Sequence, residues 1–488
     1  MLDPQSKGSV PRGGEPARPA APSPRPTVPS WRAAAILIAV AAAAFAAAQA
    51  GVLGLPPPLA KAIVLVALAV AGWGSGRLPA HIVSLTFFVV AILLSVAPPE
   101  VVLSGFTSTA FWLIFGGQAM GIAIQQTGLA QRIADATTRA LGSRSYPVVI
   151  GGLVVLGTIL SFLMPSSMGR TVLLLPIASA MADGYGFHPG RRGRTGVLLA
   201  TVFGTTAPSF SILPSNVPNA VLAGAAESYW HVSLGYFEYL LLHFPVLGLF
   251  RAVLLVPAIV LLYPDHLASR PHEAARPAPL SRAERTVAVI LGLALVLWAT
   301  DFVHHISPAW ISLAAGLVMM WPGARLVGPR AFNEQMNYGS LFFVAGVIGM
   351  GAVISHSGLG ALLGSIATRV LPLAPGATAR NFASIAVMGT LLGPIATSPG
   401  VVAVMTPFAG QLAAATGFSL KAVLMLEVLG FSNILLPYQQ PPLLVATQLS
   451  SLSLRATARV AVTMTVLSLF LIYPLDFLWL RLLGWLGP

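Results

Sequence analysis

Long apolar runs recur almost from one end of this chain to the other, and that recurrence constrains the fold more than any single motif does. A helix that crosses the roughly 30 Å hydrocarbon core of a bilayer needs about 20 predominantly apolar residues. The chain offers many such runs, with 56% of its 488 residues hydrophobic and only 8% charged. The fold class implied is an all-α polytopic membrane protein, because inside the bilayer only helices and closed barrels satisfy their own backbone. Cysteine is absent, which removes thiol nucleophiles, disulfides and cysteine-ligated metals.

Gly/Pro breaks and arginine clusters divide the apolar sequence into about 11 transmembrane helices. A Pro-, Gly- and Arg-rich tail, 1–31, is expected to be disordered. It leads into a first span at 32–54 whose AAQA end resembles a signal-peptidase site, although its length favours an uncleaved anchor. Spans follow near 58–76, 80–98 and 107–127, and then an amphipathic stretch at 128–143 that reads as a surface-lying helix. Residues 146–183 are too long for one crossing and are broken in the middle by MPSSMG. They read as a re-entrant hairpin, tolerated at membrane depth only where its exposed backbone is buried or lines a cavity. An interrupted helix at 195–228, broken at SILPSNVPN, and a span at 237–262 complete this half. Beyond a polar linker, 263–284, the pattern repeats over 285–484, with a hairpin at 379–416 and an interrupted helix at 419–448.

The repeat is visible residue by residue. Ser108–Gly142 lies over Tyr338–Pro372 without gaps, pairing Gly116 with Gly346, Met120 with Met350, Gly128 with Gly358 and Arg139 with Arg369. Five crossings and a hairpin in each half, 55–262 and 285–484, make the two repeats inverted. Inverted repeats with matching interruptions mark secondary transporters, whose sites lie near the midplane where helices break.

The basic residues test this topology. With the N-terminus cytoplasmic, most of the 27 Lys and Arg fall on the cytoplasmic side. Lys61, Arg369, Arg380, Lys421 and Arg481 fall outside, and Arg170 and Arg251 lie within spans. That bias follows the positive-inside rule. It also explains the +13 net charge without a nucleic-acid partner, since the charges are spread over loops. The excess of Arg over Lys and the abundance of Ala suggest a GC-rich bacterial genome, hence the inner membrane.

The broken segments carry a resemblance. SSMGRTVLLLP (166–176) and TSPGVVAVMTP (397–407) at the hairpin tips, with SNVPN (215–219) and QQPPL (439–443) at the interrupted helices, resemble the divalent anion:sodium symporter family of the ion transporter superfamily. In that family the tips carry Ser-Asn-Thr motifs and the turns Thr-Pro-Pro-Asn-like motifs, which hold sodium and grip substrate carboxylates. The resemblance implies an elevator-type carrier, a homodimer, and sodium at both tips. It implies substrate binding at Ser166, Ser167, Asn219, Thr397 and Ser398 and a coupling ion at Ser166, Asn216, Pro218, Thr397 and Gln440; the charges inside the spans add Arg170 as a candidate for the substrate and Glu427 as one for the coupling ion. The tip asparagines are here Ser167 and Ser398, the tip threonines Met168 and Pro399, and Leu443 or Pro442 stands for the second turn asparagine. Side-chain oxygens are thereby lost at both sodium positions.

Arg170 is the sharpest departure. An unpaired guanidinium at a helix centre in the membrane costs about 2.5 to 3.5 kcal/mol on insertion scales. Three partners are open to it: a substrate carboxylate or sulfate, Glu427 taken as the carboxylate well inside a crossing, or headgroup water reached by snorkelling. In the first case it would supply in fixed form some of the charge that sodium gives elsewhere. Arg251 reads as a packing or snorkelling residue, and His243 and His356 as structural.

The function expected is secondary active transport of a small di- or polyvalent anion of the dicarboxylate, citrate or sulfate class, coupled to Na+ or H+. Arsenite efflux and sodium/proton antiport are the alternatives on the same fold. A membrane-embedded enzyme is more remote for want of an HExxH or a Cys/His cluster, ATP-driven transport for want of a Gly-rich nucleotide motif, and a channel because it would not require two hairpins meeting at a closed midplane site. No cofactor and no transition metal are expected.

Overall fold

The computed structural model describes residues 42–52, 54–142, 145–268, 279–450 and 452–487, and every regular element among them is helical. The tail 1–31, the start of the span at 32–54 and the middle of the linker 263–284 lie outside the described residues. Among the described residues six helices are long and apolar enough to cross a membrane, from Pro57–Ser75 to Leu454–Leu482, and Ala80–Leu93 and Pro308–Met320 are apolar but shorter. The figure of eleven crossings comes from the sequence alone.

The breaks fall where Pro, Gly and Ser stand. The first hairpin has an outer arm, Tyr146–Leu163, and an inner arm, Ser167–Gly184, capped by Ser166 Oγ accepting from the Gly169 N–H at 3.1 Å. The first interrupted helix runs Arg192–Thr206, turns through Pro208–Ser211 and Leu213–Ser215, and resumes as Val217–Trp230 with Asn216 as its N-cap. In the second half the hairpin is one helical run, Thr378–Met405, bent at Thr397, whose φ of 64° and ψ of 166° no other residue of that run shares. The second interrupted helix is Leu420–Ser432, a turn at Pro437–Gln439, and Pro441–Leu449. The amphipathic stretches are helices too, Leu129–Leu141 and Leu359–Val370, each opened by a left-handed glycine, Gly128 and Gly358.

Two spans expected to be regular are not. Tyr236–Leu262 is continuous but contains a wide π-turn at Phe244–Phe250, and Leu454–Leu482 contains one at Ser468–Ile472. They fall at matching places near the ends of the two repeats.

The halves exchange partners. Thr109–Gln126 of the first packs on Pro308–Met320 of the second, and Tyr338–His356 of the second packs on Ala80–Leu93 of the first. The repeat-matched glycines sit at these contacts: a Cβ on Gly116 would lie 2.3 Å from the Ser312 carbonyl oxygen, and one on Gly346 would lie 2.4 Å from Ser84 Oγ. Within each half the outer hairpin arm meets the interrupted helix through a glycine pair, Gly157 on Gly204 and Gly389 on Gly430. Without a hydrophobic drive between helices in lipid, small residues that let backbones approach supply much of the packing. Across the halves, Val217–Trp230 packs on the second hairpin and Pro441–Leu449 on the inner arm of the first. Both tips and both breaks are thereby gathered into one region.

Candidate functional site

Arg170 lies at the centre of the first tip, with 0% of its surface exposed. Its Nη1 donates to the carbonyls of Met164 and of Ser215, the latter at 3.3 Å. Its Nη2 donates to Ser167 Oγ and to the Thr205 carbonyl, each at 3.0 Å. Met164 is the C-cap of the outer hairpin arm, and Thr205 sits in the last turn of the first half of the interrupted helix. Each helix C-terminus carries roughly half a negative charge. Two such ends aimed at one guanidinium come close to neutralising it without any acid. Hydrogen bonds to charged groups contribute about 1.5 to 3 kcal/mol each, so the set outweighs an insertion penalty of about 2.5 to 3.5 kcal/mol.

Arg170 is therefore held by the chain's own oxygens rather than by headgroup water or Glu427, with its Nε left unpartnered. It neither snorkels nor reaches Glu427, which accepts a 2.7 Å hydrogen bond from Thr406 Oγ1 through one oxygen and has no partner for the other. In broken-helix carriers, half-helix carbonyl ends of the kind that surround Arg170 coordinate Na+ or H+.

The remaining first-repeat residues form one network around it. Ser167 Oγ meets Ser209 Oγ at 3.4 Å, and Asn216 Nδ2 donates to Ser209 Oγ at 3.2 Å. Asn216 Oδ1 caps the Asn219 N–H at 3.0 Å, while Asn219 Nδ2 donates to the carbonyls of Ser209 and Ile212 at 3.1 and 2.9 Å. Asn219 Oδ1 has no partner. Pro218 is buried in the first turn of the resumed helix, where its missing N–H costs nothing. The N-termini of the inner arm and of the resumed helix are thus bridged through Ser209, and both present positive dipole ends.

The second tip is built differently. The position matching Arg170 is Val401. Ser398 is fully buried and its hydroxyl has no partner; Thr397 beside it is half-buried. Gln439 Oε1 accepts from the Leu435 and Leu436 N–H groups at 2.8 and 2.6 Å, which fixes the orientation of the amide and leaves Nε2 without an acceptor next to Gly393. Gln440 Nε2 and Asn433 Nδ2 also lack acceptors. Buried donors in want of acceptors suit a carboxylate.

Thr205, Ser209, Ser215, Asn433 and Gln439 were not singled out from the sequence. The hydroxyl-rich run TTAPSFS inside an apolar span, and the register of Gln439 with Ser215, are the signals that point to them. Glu427 is also not alone: Asp476, inside the predicted last span, is equally buried. Among the described residues no group of three or more His, Asp or Glu is placed to hold a metal ion. The basic loop pairs with local acids, Arg191 with Asp265 at 2.8 Å and Arg194 with Asp183.

Comparison with known proteins places this architecture. The chain matches the citrate transporter (CitMHS) family over residues 63–379. It is 23% identical over 396 residues to a membrane protein of Cupriavidus necator, covering 78% of this chain and 77% of that one. It is 30% identical over 213 residues to the L-tartrate/succinate antiporter of Shigella sonnei and 29% identical to that of Escherichia coli K12. Those matches cover 40% of this chain and span only 42% of the antiporters' length. The fold is shared with the Alcanivorax borkumensis YdaH transporter, with a TM-score of 0.51 and 16% identity over 79% of this chain and 88% of that one. It is also shared with Neisseria gonorrhoeae MtrF, with a TM-score of 0.52 and 13% identity over 77% and 82%. With the family profile spanning well over half of the chain, and paired broken helices converging on a polar midsection, the protein belongs to the citrate transporter family of membrane carriers for carboxylate anions and is not an enzyme.

Proposed function

We propose that the protein exchanges small dicarboxylates of the tartrate and succinate class across the membrane without sodium, with the Arg170 guanidinium standing where a coupling cation would bind. The observation that carries this reading is the set of four oxygen contacts on Arg170. A cation tethered to the chain cannot dissociate, so it assists substrate binding but contributes no gradient, and net movement then follows exchange. The antiporter names of the relatives agree with this. The unfilled donors Ser398, Gln439 and Gln440 at the second tip offer hydrogen bonds to a carboxylate there, while the bridged helix N-termini of the first tip favour the other end of a dianion.

We take the movement to be of the elevator type, with hairpins and interrupted helices travelling against the remaining helices. A Cβ on Gly117 would lie 2.8 Å from Pro165 at the first tip, which makes this the contact to be broken.

The test is counterflow in liposomes. Purified protein loaded with unlabelled succinate should accumulate labelled L-tartrate or succinate equally in sodium and in choline. Uptake that needs inward sodium and ignores internal substrate would overturn the reading.

A further inference from the structure

Each interrupted helix directs the carbonyl end of its first half at a buried arginine. In the first repeat this is Arg170 on Thr205. In the second it is Arg251, 3% exposed, whose Nη1 donates to the Ser432 carbonyl at 3.1 Å and whose Nη2 donates to Ser468 Oγ at 3.1 Å. Arg251 directly follows one π-turn and Ser468 opens the other. Such wide turns occur often at functional sites.

The second arrangement has a feature that the first lacks. Asp476 lies two turns beyond Ser468 on the same helix, is 0% exposed, and has no hydrogen-bond partner for either carboxylate oxygen. Tyr473, one turn before it, bonds Thr390 of the second hairpin and the Leu429 carbonyl of the interrupted helix, each at 2.8 Å. The helix carrying Asp476 is thereby fastened to both broken elements.

Arg251, buried and bonded to Ser468, is the cation that this helix faces, and Tyr473 and Arg481 are the other titratable groups on the helix of Asp476. On the segments that meet this helix the other titratable groups are Tyr236 and Tyr239, both buried; His243, buried with both ring nitrogens unpartnered; Glu238, paired with Lys421 at 2.5 Å; Arg380, exposed at the start of the second hairpin; and Glu427, buried on the interrupted helix that Tyr473 bonds through Leu429. An ionised carboxylate buried without donors is far costlier than a protonated one.

We propose that Asp476 is a proton-binding positioning residue that competes with the Ser432 carbonyl for Arg251, and so sets whether the second interrupted helix is held as seen here. The proposal rests on the reading of the chain as a carboxylate exchanger. With a proton on Asp476, Arg251 stays on the negative end of the half-helix. When that proton leaves to water, the carboxylate draws the guanidinium toward itself and the half-helix loses its cation. Among the described residues no acid pairs with Arg170, so the response assigned to Asp476 belongs to the second break.

The experiment is L-tartrate counterflow between about pH 6 and about pH 8.5, where the substrate stays a dianion and only the protein titrates. Wild-type exchange should fall at least about threefold as pH rises, and Asp476→Asn should stay near the acidic rate throughout. A flat wild-type profile, or an Asp476→Asn profile that parallels the wild type, overturns the proposal. Thermal unfolding in detergent supplies a readout that needs no transport: the wild type should lose stability with rising pH relative to Asp476→Asn, and an unchanged difference also overturns it. If Asp476→Asn does not fold, Asp476→Ser takes its place. Absence of exchange at every pH refutes the exchanger reading instead, and the unfolding profile then decides on Asp476.

Discussion

At the scale of single residues, Arg170 shows how an intramembrane charge is accommodated without a counter-ion. Its partners are mainly peptide carbonyls from two helix ends and a turn, and losing the guanidinium would leave those buried acceptors facing one another. Arg170→Gln is expected to reduce counterflow to less than about a tenth of wild type, corresponding to a loss above about 1.4 kcal/mol in an interaction that typically contributes more. Arg170→Ala opens the carbonyl cage, and sodium should then stimulate what exchange is left; labelled uptake in sodium against choline reads this directly. Thr397 is the second informative residue. Its φ of 64° and ψ of 166° lie in a region populated almost only by glycine, at a cost of about 1 to 3 kcal/mol. Thr397→Gly should therefore unfold at a higher temperature than Thr397→Ala by about 1 kcal/mol equivalent, while both lack the hydroxyl. A transport loss common to both variants would report a ligand role for that hydroxyl.

At the scale of elements, the amphipathic helix Leu129–Leu141 is tied to the second half by one ion pair. Arg132 Nε meets Glu284 Oε1 at 2.6 Å, and Glu284 also closes the capping box of Arg282–Ala299 with Ser281. The hydrogen bond from Arg132, followed by that from the Ser281 N–H, holds the Glu284 carboxyl down from 4.5 to about 2. A depressed carboxyl stabilises the fold fully above its ordinary value and loses that contribution as pH falls toward its folded value. The difference in thermal stability between wild type and Glu284→Gln should thus be constant above about pH 4.5 and shrink between about 4.5 and about 2. These helices were legible from sequence because charge and hydrophobicity alternate with helical period, which is a local property. The hairpins and interrupted helices were legible for the same reason: Pro165, Pro214, Pro218, Pro399 and Pro437 stand where backbone bonds must be given up.

At the scale of the whole molecule, the two halves are held by contacts that each makes with the other. Gly116 faces Ser312 backbone and Gly346 faces Ser84, so the same close approach is used twice. Gly116→Leu must displace backbone and is expected to cost about 1 to 3 kcal/mol or more; Gly346→Leu should cost a similar amount, since its contact is as short. Unequal losses, with one variant as stable as wild type, would show that the exchange of partners is not symmetric in its energetics. Gly121, which has nothing within reach of a Cβ, should accept alanine without loss and serves as the control.

The sequence by itself determined the helical membrane class, the repeat, the broken segments and their family, because apolar run length, Pro/Gly/Ser breaks and ungapped internal similarity are all carried by residue type along the chain. It did not determine what the buried charges meet. Thr205 is 35 residues from Arg170 and Ser432 is 181 residues from Arg251, and in both cases the acceptor is a peptide carbonyl, a group that every residue has. A side-chain search therefore pairs Arg170 with the visible acid, Glu427, and passes over Asp476. Only packing of the halves brings helix ends, with their partial charges, to these guanidinium groups, and that packing is a property of the tertiary structure.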